Sequence, residues 1–164
     1  MSFDPTLFRY TMRLWATGVT VVSTARNGKL CGMTVSSFSS VTLEPPLILI
    51  CLQKSSATTG AIMASGFFAV SMLAEGQDAI SNRFAGLDPT VADDSRFEGL
   101  DVIYAQTGAP ILADAMGWLD CTISQVWDGS THHILLGKVA AASGEEDHHP
   151  KPLLYYNREY RRLG

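Results

Sequence analysis

The chain has 164 residues, 46% of them hydrophobic and 17% charged, with a formal net charge of −4. That length and composition support a buried core and exclude a disordered polymer. The negative balance argues against nucleic acid or an acidic membrane surface as the main partner, and so few charges point to apolar surface covered by a second subunit.

The N-terminal segment reads as a helix. Asp4 is an N-cap residue and Pro5 fits the first helical position. Leu7, Phe8, Met12, Leu14 and Trp15 then share one helical stripe, which Gly18 can end. From Val19 the pattern turns to β, with strands expected over 19–23, 30–36 and 47–52 and a hairpin turn at Asn27-Gly28.

Residues 31–46, CGMTVSSFSSVTLEPP, are the most informative stretch. Thr34, Ser36, Ser37, Ser39 and Ser40 are too many small polar groups for an ordinary buried strand pair. A surface loop would not need Met33, Val35, Phe38 and Val41 threaded between them. A flat ligand with a hydrogen-bonding edge, laid along exposed main chain, accounts for both halves of the pattern, and the isoalloxazine of a flavin is such a ligand.

Gln53-Lys54-Ser55-Ser56-Ala57-Thr58 follows a strand and opens a short helix over 56–64, bounded by Gly66. Amides at a helix start, with hydroxyls and one lysine, make a compact phosphate cradle, although serine there also serves as a plain N-cap. A strand is expected over 67–73 and another short helix over 77–85, carrying Arg83-Phe84 near its end. Residues 87–108, with Asp88-Pro89 and Asp93-Asp94-Ser95, read as an irregular excursion. No composition shift there marks a second domain, so residues 1–164 are expected to form one.

Leu119, Cys121 and Ile123 alternate with Asp120, Thr122 and Ser124, which predicts a strand with one wet face. Asp128-Gly129-Ser130 turns the chain into a return strand over 134–140. His132 and His133 are adjacent on a strand and so point to opposite faces, which prevents them from holding one metal ion together. His148-His149 read as solvated loop residues. Tyr156 and Tyr160 are either packing residues or a pocket wall. Arg158, Arg161 and Arg162 form a small basic cluster, read as a solvated end or as a contact for a phosphate or a second subunit.

Many short antiparallel strands with few helices suggest a small β-barrel. The chain lacks a Gly-x-Gly-x-x-Gly loop, a Walker loop, a Gly-x-Ser-x-Gly elbow and a His-Glu-x-x-His helix. That suits an enzyme whose cofactor supplies the reactivity. Cys31, Cys51 and Cys121 are widely spaced and fit reduced thiols in a cytoplasmic protein. The longest apolar run, 47–52, is far below the ~20 residues of a membrane span. Residues 1–13 lack the basic start and apolar run of an export signal.

Residues 31–46 resemble the signature of the short-chain flavin reductases, the small partners of two-component flavin monooxygenases. The resemblance extends through Phe8-Arg9, the 18–22 and 67–73 segments, Arg83-Phe84-Ala85-Gly86, Thr131-His132-His133 and the 152–156 segment. Within that family the chain is similar to reductase components serving aromatic hydroxylases such as 4-hydroxyphenylacetate 3-monooxygenase. The resemblance implies a mainly β, six-stranded split barrel of the FMN-binding type, Greek-key, with short peripheral helices, normally a homodimer with sites at the subunit interface. It implies hydride transfer from NADH, or NADPH, to FMN or FAD, and delivery of reduced flavin to a separate oxygenase. For the flavin it implies contacts at Met33, Thr34, Val35, Ser36, Ser37, Ser40 and Leu52. The phosphate would lie at Gln53, Lys54, Ser55, Ser56 and Thr58, with Arg83 and Phe84 near phosphate and ring. His132 would stand on the nicotinamide side, with Tyr156 and Tyr160 as candidate walls of that pocket. The alternatives are a split-barrel flavin or haem carrier without turnover and a pyridoxamine-phosphate-oxidase-like enzyme, which would want a denser basic phosphate site than Lys54.

Overall fold

The computed structural model describes residues 3–143 and 150–163, so His148 and His149 lie outside the described residues. The first helix, α1 (Pro5–Arg13), is capped as its sequence implies, with the Asp4 carboxylate accepting from the Thr6 amide at 2.8 Å. It ends one turn before Gly18. The chain then forms a short strand β1 (Thr17–Gly18), because those residues pair with 154–155 near the C-terminus. The helix buries none of its residues, so the expected apolar stripe stays open to solvent.

Strands β2 (Thr20–Arg26) and β3 (Lys29–Val35) form a hairpin across Asn27-Gly28, both at positive φ. Next come β4 (Phe38–Thr42), β5 (Leu47–Gln53), helix α2 (Ala57–Ser65) and β6 (Phe67–Met72). Helix α2 closes on Gly66 in the left-handed conformation, the expected glycine stop. Helix α3 (Asp78–Phe84) follows. The excursion contains more order than its composition suggests. A 3-10 turn (Asp93–Ser95) and strand β7 (Val102–Tyr104) precede β8 (Pro110–Leu112), and β7 pairs with β8. The long hairpin β9 (Gly117–Gly129) and β10 (His132–Ser143) and the small hairpin β11 (Leu154–Tyr156) and β12 (Glu159–Arg161) complete the chain.

The main sheet has seven strands in the order β3-β2-β6-β9-β10-β5-β4. The fold is therefore mainly β with few short helices. Alternation on β5 sends Ile48, Ile50 and Leu52 into the same core as Val22, Val35, Phe68, Val70, Cys121 and Leu135. The two flanks of the sheet thus share one interior. Gly137 permits that packing: a Cβ there would lie 2.6 Å from Phe68 Cζ. A second cluster joins Val19, Val21, Leu73, Phe84, Leu112 and Leu153 around α3.

The wet face expected of β9 needs correction at Asp120, which is fully buried. Its carboxylate accepts from the Thr107 amide at 2.7 Å and from the Thr107 hydroxyl. A pairing shift between Val139 and Ala141 accompanies this position. The excursion supplies the donors, so the carboxylate is desolvated but satisfied. Cys121 beside it is buried, which pushes its thiol up to about 12.

Candidate active site

The hydroxyl-rich segment is held between α3 and β5. Thr34, near the end of β3, donates from Oγ1 to the Ser81 carbonyl of α3 at 2.6 Å. Its hydroxyl proton therefore ties strand to helix, and only the oxygen's acceptor side remains for a ligand. Val35 turns its side chain into the core. Ser36 and Ser37 lie outside any strand and are exposed. Ser37 Oγ donates to the Cys51 carbonyl at 2.7 Å, and the Cys51 amide bonds the Ser37 carbonyl at 3.2 Å. This exchange locks the segment against β5 and leaves Ser36 the least committed hydroxyl. Ser40 sits on edge strand β4 opposite Ile48.

Ser36 lines three clefts, of which the largest and the smallest bear on the site. The larger, about 630 Å³, runs between α1 and the β11–β12 hairpin, with Ser37, Phe38 and Cys51 on its floor. The smaller, about 230 Å³, is bounded by Thr34, Ser81, Asn82 and Tyr160. A separate cleft, about 810 Å³, lies at the start of α2 and includes Cys31, Ser55, Ser56, Thr58 and Arg96.

The α2 end of that separate cleft fits a phosphate group. Ser56 occupies the N-cap with no side-chain cap bond, so the first-turn amides lack the usual hydroxyl acceptor. Its hydroxyl instead lies 3.6 Å from the Met33 sulfur, and Thr58 Oγ1 donates to the Gly32 carbonyl at 3.2 Å. Met33, Ser56 and Thr58 are thereby brought together. Lys54 points elsewhere. Its Nζ pairs with Asp128 at 2.7 Å, and its amide bonds the Thr131 carbonyl at 3.0 Å. The Lys54 hydrogen bond, then the Ser130 amide, hold the Asp128 carboxyl below the usual carboxylate range. The cradle is therefore built of main chain and hydroxyls, with its lysine engaged by the β9–β10 hairpin.

Arg83 and Phe84 are also placed differently from a direct ligand contact. Phe84 is 1% exposed and packs edge-on against Phe97, ring centroids 4.9 Å apart. Leu52 is likewise buried, so neither side chain opens onto a ligand. Arg83 donates to the Ser95 and Glu98 carbonyls at 2.9 and 2.6 Å, pinning the excursion to α3. Arg96, which carried no sequence signal, takes the position at the cleft. It donates to the Gly32 and Phe84 carbonyls at 3.0 and 3.2 Å and pairs with Asp93. No periodicity or motif inside the irregular 87–108 stretch singles it out.

His132 stands opposite Gln53, and His133 opposite Leu52. Directly opposed residues share a sheet face, and faces alternate along a strand. His132 and Gln53 therefore lie on the face of Cys51 and Leu49, both of which line the larger cleft, whereas His133 lies on the other face. Cys51 and Gln53 are about 7 Å apart along the strand. The His132 ring nitrogen Nδ1 is 2.9 Å from Thr131 Oγ1.

Of the two tyrosines named, only Tyr160 faces a cleft, and it does so with Tyr155. Antiparallel pairing sets Tyr155 opposite Tyr160 and Tyr156 opposite Glu159. Tyr155 and Tyr160 share a face, with ring centroids 5.5 Å apart, and both line the smaller cleft. Tyr156 points away. The Tyr160 hydroxyl lies 2.9 Å from Ser81 Oγ and 2.8 Å from Asn82 Oδ1. This ties the C-terminal hairpin to α3.

Comparison with known proteins bears on this arrangement. Residues 12–164 match the family described as "Flavin reductase like domain". The chain is 36% identical over 157 residues to the flavin-dependent monooxygenase reductase subunit HsaB of Mycobacterium tuberculosis, covering 96% of this chain and 81% of that one. It is 34% identical over 161 residues to the NADH-dependent flavin reductase StyB of Pseudomonas fluorescens, covering 98% and 91%. Among solved structures, nitrilotriacetate monooxygenase component B from Mycobacterium thermoresistibile is similar with a TM-score of 0.89 and 36% identity, covering 98% and 87%. The NADH:FAD oxidoreductase of Streptomyces globisporus, in complex with NAD and FAD fragments, is similar with a TM-score of 0.87 and 33% identity, covering 100% and 97%.

Proposed function

The chain belongs to the flavin reductase family, and from that premise we propose that it transfers hydride from NADH to FMN or FAD and supplies the reduced flavin to a separate oxygenase. The observation that carries this reading is the junction at Ser36. There an exposed stretch of main chain opens onto three clefts, and the start of α2 in a further cleft is free to receive a phosphate. Held by the Thr34–Ser37 segment and the α2 start, a flavin would supply the two-electron acceptor chemistry, taking at N5 the hydride that NADH would give from nicotinamide C4 as it becomes NAD⁺.

The residues have positional tasks. The Ser36-Ser37 main chain and the Thr34 oxygen meet the hydrogen-bonding edge of the isoalloxazine, where donors stabilise the negative charge of reduction. The α2 start and the Ser55 and Ser56 hydroxyls hold the flavin phosphate. His132, on the face of the larger cleft, aligns the nicotinamide, since hydride transfer depends on orientation above all. NADPH is the second choice of donor. A pyridoxamine-phosphate-oxidase reading is weakened by Lys54, whose charge is engaged by Asp128.

The same reading takes residues 1–164 as one domain, located in the cytoplasm, and six strands of the seven-stranded main sheet as a Greek-key split barrel. Support for the barrel comes from the core shared by both flanks of the sheet. Support for a homodimer comes from the exposed apolar residues of the α1 region, among them Leu7, Tyr10, Leu14 and Trp15. Among the described residues no helix is long and apolar enough to cross a membrane.

Steady-state NADH oxidation with FMN, FAD and riboflavin compared side by side tests the function. Oxidation should require added flavin and persist in metal-free buffer. Flavin binding without oxidation of either NADH or NADPH would instead identify a carrier.

A further inference from the structure

Two hairpins of this chain make the same turn with different residues. Asn27 and Gly28 connect β2 to β3 at φ 51° and 75°, and Asn157 and Arg158 connect β11 to β12 at φ 50° and 67°. Positive φ at both loop positions defines the type I′ turn, whose second position favours glycine. The first hairpin follows that preference. The second places a side chain in the left-handed region, which L residues disfavour, and such strain persists where a side chain is needed in that place.

Arg158 lines both the larger cleft beside α1 and the smaller cleft at Thr34 and Ser36. Arg9 and Arg13 line the larger cleft too. Among the described residues none of these three arginines forms an ion pair, and Arg13 keeps a buried Nε without a hydrogen-bond partner. Three arginines with no carboxylate partner among the described residues thus concentrate positive charge at one cleft of a chain of net charge −4, with the Arg13 guanidinium over the Tyr10 ring at 4.9 Å. Between them the wall includes Trp15, Phe38 and Tyr155. Guanidinium groups recognise diphosphates in a bidentate manner, and aromatic walls accept a flat base.

We propose that this cleft holds the adenosine diphosphate half of the nicotinamide dinucleotide, with Arg158 setting the affinity for it. The proposal rests on the flavin reductase reading and assigns the donor side of that site. A cleft of about 630 Å³ is of the size that takes small molecules, roughly 300–1,000 Å³. Ser36 joins it to the proposed isoalloxazine strand, and His132 lies on the same sheet face. The nicotinamide can therefore reach the flavin while its diphosphate stays at the arginines. FAD carries the same adenosine diphosphate, so the test separates the two sources.

The experiment compares wild type with Arg158→Gly and Arg158→Lys, using FMN as acceptor because it has no adenosine. Wild-type NADH oxidation is measured first, since its absence would overturn the enzyme reading itself. For Arg158→Gly the KM for NADH should rise about tenfold with kcat little changed, as expected when a charged hydrogen bond to the substrate is removed. The KM for FMN and the rate with reduced nicotinamide mononucleotide, which lacks the adenosine phosphate, should not move. Glycine should also relieve the turn, raising the melting temperature by about 2–4 °C. Arg158→Lys should recover part of the NADH affinity without that rise. An unchanged KM for NADH overturns the proposal, as does an equal rise for the mononucleotide. A loss confined to FAD would reassign the cleft to the flavin. A shift to monomer in sedimentation, at unchanged KM, would make it a contact between copies.

Discussion

At the scale of single residues, the adjacent histidines separate cleanly. His132 is exposed on the face of the larger cleft, and His133 points to the other face beside Leu52. His132→Ala should raise the KM for NADH or slow flavin reduction while leaving flavin affinity nearly unchanged. His133→Ala should do much less. Stopped-flow reduction of FMN by NADH measures both, and equal behaviour of the two variants would remove His132 from the nicotinamide side. Asp128, two residues before the turn, engages Lys54 and so determines how far the phosphate cradle can depend on that lysine. Its folded pKa is depressed, so the ion pair contributes above the carboxyl's unfolded value, near 3.9, and stops contributing as pH falls through the lower folded value. The Asp128 carboxylate thus stays ionised across the neutral range. A pH dependence of activity there has to arise from other groups.

Among the elements, α2 is the one whose start matters most. Its N-cap serine makes no side-chain cap bond, and its hydroxyl rests against the Met33 sulfur. Ser56→Ala combined with Lys54→Ala should weaken FMN binding by roughly 0.5–1.5 kcal/mol for each hydrogen bond removed. The effect on riboflavin, which has no phosphate, should be smaller. Most of the weakening should appear in Ser56→Ala alone, because Lys54 is engaged by Asp128. Equilibrium fluorescence titration with both flavins decides this, and equal weakening for the two would move the phosphate away from α2, with Arg96 the next candidate. The excursion behaves as an element too. Arg83, Arg96 and Asp120 each bond its main chain or anchor it, so three charged side chains organise a segment with little regular structure of its own.

For the molecule as a whole, α1 is the surface that calls for a partner. A nine-residue helix that buries nothing while exposing Leu7, Phe8, Tyr10 and Met12, with Leu14 exposed at its C-cap, is stabilised by more than its own hydrogen bonds only if something covers it. With a second copy as that cover, Leu7→Glu combined with Leu14→Glu should shift the protein from dimer to monomer in sedimentation equilibrium. Wild-type protein that sediments as a monomer at micromolar concentration would leave α1 without a partner subunit.

Local signals are legible in the sequence wherever neighbours along the chain decide the outcome. Asp4-Pro5 opens a helix, Asn27-Gly28 turns a hairpin and Gly66 stops a helix, since each depends on a few dihedrals and one capping group. The opposite faces of His132 and His133 follow from the period of a strand for the same reason. What the sequence by itself does not determine is everything that depends on a distant partner. Asp120 reads as wet until Thr107 satisfies it, and Lys54 reads as free until Asp128 engages it. Phe84 reads as a ligand contact until Phe97 packs against it. Burial, ion pairing and register are properties of pairs brought together from far apart in the chain. Only the folded tertiary structure, where the cost of an unsatisfied polar group or an unfilled space is felt, selects among the pairings that the local sequence allows.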